Sequence, residues 1–290
     1  MEQYALDAME RITTRPPAVY ETITVDPLTP ATGAEVSGID LSEKLTDIQL
    51  TELKRAFHTH HVLVFRDQTL TGEDHKRFAG HFGELHPVAL APEGSDPHIL
   101  EISATKESRA VAGDGWHADG TADPEPSLGS MLYLTRTPDI GSGGDTHFAN
   151  MHLAYELLSP AMKTFLDGMT AVHDGLLAWG GVTPPPEYDV PKNEHPVVVR
   201  HPETGRRLLY VNGAYTSHLT GLTPRESRAV LDMLLAHIAR TPLLTCRVRF
   251  TPNTLVFWDN RCLQHHATWD YYPHTRYGQR VAIKGGRPRA

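Results

Sequence analysis

The chain has 290 residues, 40% hydrophobic and 21% charged, enough to bury a sizeable core and too apolar to be disordered or fibrous. Lys and Arg number 27 against 35 Asp and Glu, for a net charge of −8. That balance, with no basic run, argues against a nucleic-acid partner and leaves small anions open, since one or two pocket arginines can outweigh a negative surface locally. Cys246 and Cys262 are too few for a disulfide framework, and the apolar stretches are strand-sized. A soluble, cytoplasmic protein with no membrane segment is expected.

Residues 1–19 end in Arg15-Pro16-Pro17 and lack sustained periodicity, so they read as a flexible lead-in to a single domain over 20–290. TITVDPLTPATGAEVSGIDL then alternates apolar and polar residues around Pro and Gly turns, predicting two short strands. Thr46 and Asp47 cap a helix that carries Ile48, Leu50, Leu53 and Phe57 near one face, and HHVLVFRDQ follows as a buried strand. A second amphipathic helix spans Thr71 to Phe82 and stops at Gly83. A loop rich in Pro and Gly runs to about residue 97, and HILEIS resumes as strand.

Between residues 115 and 150, GWHADGT, GSMLYLTRT and DTHFAN read as strand-like pieces. A helix from His152 to Leu166 follows, broken at Ser159-Pro160. Residues 176–194 hold four prolines and two adjacent glycines, a long irregular stretch of the kind that is uncommon unless functional or disordered, so a lid is expected there. HPVVVRHP, RRLLYVN, CRVRF, TLVFWDN and RVAIKG add strands, with one helix over Pro224–Arg240. Short strands scattered along the whole length do not follow the alternation of a doubly wound sheet. The pattern predicts a mainly β fold with decorating helices, a jelly roll or barrel.

His117 and Asp119 sit two apart in one predicted strand, where a period of two turns both side chains to one face and lets them meet one metal. A mononuclear non-haem iron site needs one more His on that face. The candidates are His265 and His266, which follow the apolar strand VFWDN; adjacent strand residues point oppositely, so at most one of them faces the site. In a chain with 18 histidines, the HxD pair alone reads more readily as a hydrogen-bonded surface pair. Arg276 and Arg280, eleven and fifteen positions after His265, offer forks for a carboxylate, although each alone is an ordinary surface charge. Trp258, Asp259 and Asn260 read as the turn that supports the His265 strand. Cys262 lies off the ligand register and reads as a small buried hydrophobe. Trp179 and Tyr188 either close over a substrate or pack on the barrel.

The ordered segments GAEVSGIDL, VLVFRDQ, FGELHPV, WHAD, GGDTHFANMHLAYELLS, HPVVVRHPETGRRLLYVN and WDNRCLQHHA, followed by two spaced arginines, resemble the taurine dioxygenase family. These are Fe(II)/2-oxoglutarate-dependent oxygenases that include phenoxyalkanoate and alkylsulfate dioxygenases. The likeness spans roughly residues 22 to 287. It implies a double-stranded β-helix (cupin-like jelly roll), with His117, Asp119 and His265 as catalytic iron ligands and no ligand role for His266. Thr146 and Arg276 match the positions that hold the distal carboxylate of 2-oxoglutarate. Arg280 matches an anchor for an acidic group on the substrate, and His86 lies in the stretch that supplies a substrate-facing histidine.

This chain departs from the taurine enzyme before its WHTD motif, where Gly113 and Gly115 stand in a stretch that otherwise helps hold the substrate amine. Gly120 and Ala122 replace bulkier residues after the motif and imply a larger substrate space, and Tyr215 stands where the family places an aromatic wall. The resemblance thus implies an oxidoreductase that uses Fe(II), 2-oxoglutarate and O2 to hydroxylate an aliphatic C–H of a small-to-medium organic anion, with succinate and CO2 as coproducts. It also suggests a homo-oligomer. A biosynthetic oxidase tailoring a natural product is the alternative within the class, and a non-enzymatic cupin-like binding module is the alternative outside it.

Overall fold

Strand Thr254–Asp259, buried at all six positions, forms the spine of the fold. A strand covered on both faces needs a continuous apolar run rather than an alternating one, and TLVFW supplies it. In the computed structural model, which describes residues 2–16, 18–111 and 113–290, this strand pairs antiparallel with Val62–Phe65 on one side and Gly129–Arg136 on the other. The eight-stranded sheet extends outward through Ala34–Ser37 and Thr24–Pro27 at one end. At the other end comes Arg276–Ile283, which carries both Leu85–His86 and Leu100–Ala104.

Side-chain alternation splits the core in two. Leu63, Phe65, Met131, Tyr133, Leu255 and Phe257 turn to one face and pack with Leu53, Ala56, Phe57 and Phe78 of the helices Asp47–His60 and Gly72–Gly80. Val62, Val64, Leu132, Leu134, Val256 and Trp258 turn to the other face, toward the smaller sheets. One small sheet joins Thr245–Val248, Thr146–Asn150 and Leu263–Ala267; another joins Thr216–Leu219, Thr170–Asp174 and Lys192–Pro196. Successive strands such as Thr254–Asp259 and Leu263–Ala267 lie in different sheets, and this crossing between facing sheets is the jelly roll the sequence implied. Three helices, Asp47–His60, Gly72–Gly80 and Pro224–Ala239, start with a capping box, Thr46 with Gln49, Thr71 with Asp74 and Thr223 with Glu226, an arrangement that satisfies two orphan N–H groups reciprocally.

The structure corrects three local expectations. Gln3–Thr13 is a helix rather than an unstructured lead-in, with Ala8 fully buried and Ile12 packed on the core; its small contact residues give a weak apolar pattern, while Met1 and Pro17 lie outside the described residues. GWHADGT is not a strand: His117 makes a single bridge and Asp119 lies in a turn. The helix expected over 152–166 is split as its Ser159-Pro160 break implied, into Met151–Glu156 and Pro160–Leu166, the second capped by Ser159, which accepts from the Met162 N–H at 3.2 Å. The 176–194 stretch opens with a 3-10 turn, Gly175–Trp179, and ends in the strand Lys192–Pro196, so its irregular part is 180–191. Among the described residues no helix is long and apolar enough to cross a membrane.

Candidate active site

The spine strand ends at Asp259 in a tight turn, where Arg261 N–H donates to the Asp259 carboxylate at 3.0 Å. The chain then returns as Leu263–Ala267 in the facing sheet. That return carries His265, whose backbone exchanges two hydrogen bonds with His117, at 3.0 and 2.7 Å. The exchange clamps together residues 148 positions apart and brings their rings to a centroid separation of 4.1 Å. Two residues after His117, the turn presents Asp119. Its Oδ1 lies 3.8 Å from Nε2 of His117 and 3.8 Å from Nε2 of His265.

A hydrogen-bond web holds Asp119 and His117. Ser130 Oγ donates to Asp119 Oδ2 at 2.8 Å and Asn260 Nδ2 to the same oxygen at 3.3 Å, while Asn260 Oδ1 accepts from the Asp119 N–H and from Trp258 Nε1. Nδ1 of His117 lies 2.9 Å from the Gly115 carbonyl. A carbonyl only accepts, so Nδ1 carries the proton and Nε2 presents its lone pair toward Asp119. Burial opposes charge on Asp119, but Arg280, His265, His117 and the Ser130 hydroxyl outweigh it and hold the carboxyl well below its usual range. Burial, with His117 adding to it, holds His265 well below the usual imidazole range. Two imidazoles and a carboxylate, with His117 and Asp119 hydrogen-bonded from behind, make a donor set suited to a divalent metal with open positions left over.

These residues open on a cavity of about 330 Å³ that also takes in Leu132, Thr146, Trp258, Arg276 and Arg280. Arg276 is 6% exposed, and its Nε and Nη2 find no partner among the described residues, an arrangement so costly that a bound acceptor is its natural explanation. Its guanidinium lies 5.2 Å over the Phe250 ring. A Cβ on Gly144 would come within 2.9 Å of Arg276 Cδ, and φ there is +73°, so the second glycine of the GGDT segment leaves room for the arginine stem. Arg280 Nη1 pairs with Asp119 Oδ1 at 2.8 Å.

A second cavity of about 330 Å³ adjoins the first, sharing Leu100, Asp119, Tyr215 and Arg280, and adds His86, His98, Gly120, Asp123, Trp179 and Tyr188. The Trp179 and Tyr188 rings stand 5.8 Å apart. Burial, with Asp119 adding to it, pushes the Tyr215 phenol up to about 12. Two sequence expectations shift here. Ala122 is fully buried and lines neither cavity, and Gly120 is required by its backbone, since φ is +64° and a Cβ would meet Asp123 Oδ2 at 2.8 Å.

His266 turns away from the site, 3.5 Å from Asp114 and edge-on to Trp116, as strand alternation demands. Asp123, passed over in the sequence, faces the outer cavity without an ion pair among the described residues; its place next to the WHAD turn was the available signal. The largest cavity, about 660 Å³ under residues 284–290, holds none of the expected site residues.

Residues 24–282 match the family model for the taurine catabolism dioxygenase TauD, TfdA family, and the chain belongs to that family. It is 35% identical to an alkylsulfatase of Acinetobacter baylyi over 89% of this chain and 84% of that one. To the (S)-phenoxypropionate/alpha-ketoglutarate-dioxygenase of Sphingobium herbicidovorans it is 32% identical, over 85% of this chain and 90% of that one. A solved taurine dioxygenase from Burkholderia xenovorans superposes with a TM-score of 0.80 at 37% identity, covering 92% of this chain and 91% of that one. The protein is thus a 2-oxoglutarate-dependent dioxygenase, an oxidoreductase that uses Fe(II), 2-oxoglutarate and O2. The convergent donors and the unpartnered Arg276 fork fit the metal and the cosubstrate respectively.

Proposed function

We propose that His117, Asp119 and His265 bind the Fe(II), that Thr146 and Arg276 hold the distal carboxylate of 2-oxoglutarate, and that the adjoining cavity seats a small-to-medium organic anion of the alkylsulfate, sulfonate or phenoxyalkanoate kind, hydroxylated at an aliphatic C–H. The observation that carries the reading is the opening of the three donors and the unpartnered Arg276 fork on one cavity. When bound, the metal and cosubstrate supply oxidative decarboxylation coupled to C–H hydroxylation, with succinate and CO2 as coproducts.

The chain's own residues do the positioning. Ser130 and Asn260 fix the rotamer of Asp119 through Oδ2 and leave Oδ1 toward the histidines. Gly115 fixes the tautomer of His117. Arg276 and the Thr146 hydroxyl aim the cosubstrate by charge-assisted hydrogen bonds. Arg280 stands at the junction of the two cavities and anchors the substrate anion, with His86, Gly120 and Tyr215 lining its path. Trp179 and Tyr188 make the 176–194 segment a lid that keeps water from the reacting carbon. The residues 20–290 act as one catalytic unit in a cytoplasmic homo-oligomer.

A screen of alkylsulfates, alkylsulfonates and phenoxyalkanoates with Fe(II), ascorbate and 2-oxoglutarate tests the proposal by succinate release. Substrate-dependent succinate that disappears in Arg276→Ala at low 2-oxoglutarate and returns at high concentration is the expected result. Succinate release independent of every anion tested would refute the substrate class.

A further inference from the structure

His61, His152 and Cys262 each bring one donor atom within 4.8 Å of the other two, and all three are buried. None lines either cavity of the active site. They come from three separate places: the residue that ends helix Asp47–His60, the helix Met151–Glu156, and the turn before His265. Only the tertiary fold joins them.

Two features mark the group as more than packing. His61 holds a left-handed backbone, φ +64°, while capping the Phe57 carbonyl at 2.7 Å. Glycine or asparagine normally fills such a position, so the side chain has no backbone reason to be histidine. The second feature is the state of the ring nitrogens. His152 Nδ1 lies 2.9 Å from the Arg207 carbonyl, an acceptor only, which puts the proton on Nδ1 and leaves Nε2 with a free lone pair. That Nε2, and Nδ1 of His61, are buried with no partner among the described residues. Orphaned buried polar atoms of this kind are rare in native proteins and mark a bound ion or water.

We propose that His61, His152 and Cys262 form a second metal site, two imidazoles and one thiolate, for a thiophilic divalent cation such as zinc. Sulfur and nitrogen donors suit zinc, whereas the carboxylate-bearing set at the active site suits iron, so one chain can sort the two metals by donor chemistry. Binding displaces the thiol proton of Cys262 to solvent as the metal–sulfur bond forms. Neighbouring groups support the set. His201, Asp259 and Cys262 form an overlapping trio within 4.8 Å, in which His201 Nε2 lies 3.0 Å from Asp259 Oδ2 and Arg261 Nη2 pairs with the same oxygen at 2.7 Å. None of the cavities described above reaches its donors, and the site takes up its metal as the chain folds and holds it against chelators.

The test uses the full-length protein, produced with added Zn(II) and dialysed under native conditions against a chelator that strips the open active site. Zinc per chain is then measured by plasma mass spectrometry, and the metal shell by X-ray absorption at the zinc edge. The expected result is about one retained zinc per chain, with one sulfur at about 2.3 Å and nitrogens at about 2.0 Å. Cys262→Ser should retain less than about a tenth of it, while His117→Ala and His265→Ala keep it. Absence of retained zinc in the wild type means that water alone bridges the two rings and overturns the proposal, as does a shell without sulfur or full retention in Cys262→Ser. If Cys262→Ser fails to fold, the wild-type edge spectrum decides by itself.

Discussion

The inner cavity and the outer one are close in volume and share Leu100, Asp119, Tyr215 and Arg280, but they are built from different material. The inner walls draw mainly on strands, with His265 on Leu263–Ala267, Thr146 heading Thr146–Asn150 and Arg276 heading Arg276–Ile283, while His117 is tied to the His265 strand by a single bridge and Asp119 lies in the turn beside it. The outer cavity borrows His86 from a two-residue edge strand, Asp123 from the turn after Asp119, and Trp179 and Tyr188 from the 176–194 segment. Strands locked in paired sheets hold a metal geometry to small tolerances, and loops on such a scaffold can change shape without disturbing it. The reaction and the choice of substrate therefore reside in separable parts of one pocket.

The separation predicts a descending series of effects. His265→Ala should cost on the order of a thousandfold or more in succinate formation, because it removes a proposed metal ligand, whereas His266→Ala should stay within about twofold, as for a surface change; comparable losses in both would erase the distinction between the two adjacent histidines. Arg276→Ala should raise the apparent KM for 2-oxoglutarate by about tenfold to a hundredfold, the equivalent of about 1.5–3 kcal/mol for a charge-assisted contact. Initial rates across a cosubstrate series measure it, and an unchanged KM removes Arg276 from the inner site. Ser130→Ala should weaken metal binding by about tenfold by freeing the Asp119 rotamer, read by anaerobic Fe(II) titration.

The outer cavity should respond in substrate preference alone. Asp123→Asn should alter by about threefold to tenfold the ratio of kcat/KM for an anion bearing an amine against one of equal length without it, while leaving the 2-oxoglutarate KM where it was. Burial raises the Asp123 pKa, with His86 working the other way. Its carboxylate therefore neutralises at a higher pH than an ordinary aspartate, and the preference for the amine should fade as pH falls through that raised value and return as pH rises. Trp179→Ala should have the smallest effect, a few-fold rise in substrate KM, with more succinate released per hydroxylated product if the segment excludes water. A change in cosubstrate KM in either outer variant would show that the two cavities do not act separately.

Much of the inner site was legible because its signals are local or ordered. Continuous apolar runs in TLVFWDN and VLVF predict buried strands, and the ordered motifs around WHAD and WDNRCLQHHA carry the family resemblance that nominates His117, Asp119 and His265. Even there the local geometry was misread. His117 and Asp119 share a face through a bridge and a turn, a conformation that a period-of-two argument cannot tell from a strand. The N-terminal helix was missed because Ala5 and Ala8 bury little area each, and the strands Thr170–Asp174 and Thr216–Leu219 because TAVHD and TSHL carry too few apolar residues.

By itself the sequence carried the apolar patterns that make facing sheets and the caps that start the helices, and through the family resemblance it nominated the proposed metal and cosubstrate residues. Only the tertiary structure decided that Gly120 serves a left-handed turn while Ala122 lies outside both cavities, that Asp123 faces the outer cavity, and that His61, His152 and Cys262 meet. The reason is one of range. Strand and helix patterns arise from side chains a few residues apart, whereas a cavity wall or a buried cluster depends on which distant segments the closed sheets bring into contact, and on which polar atoms that contact leaves without a partner.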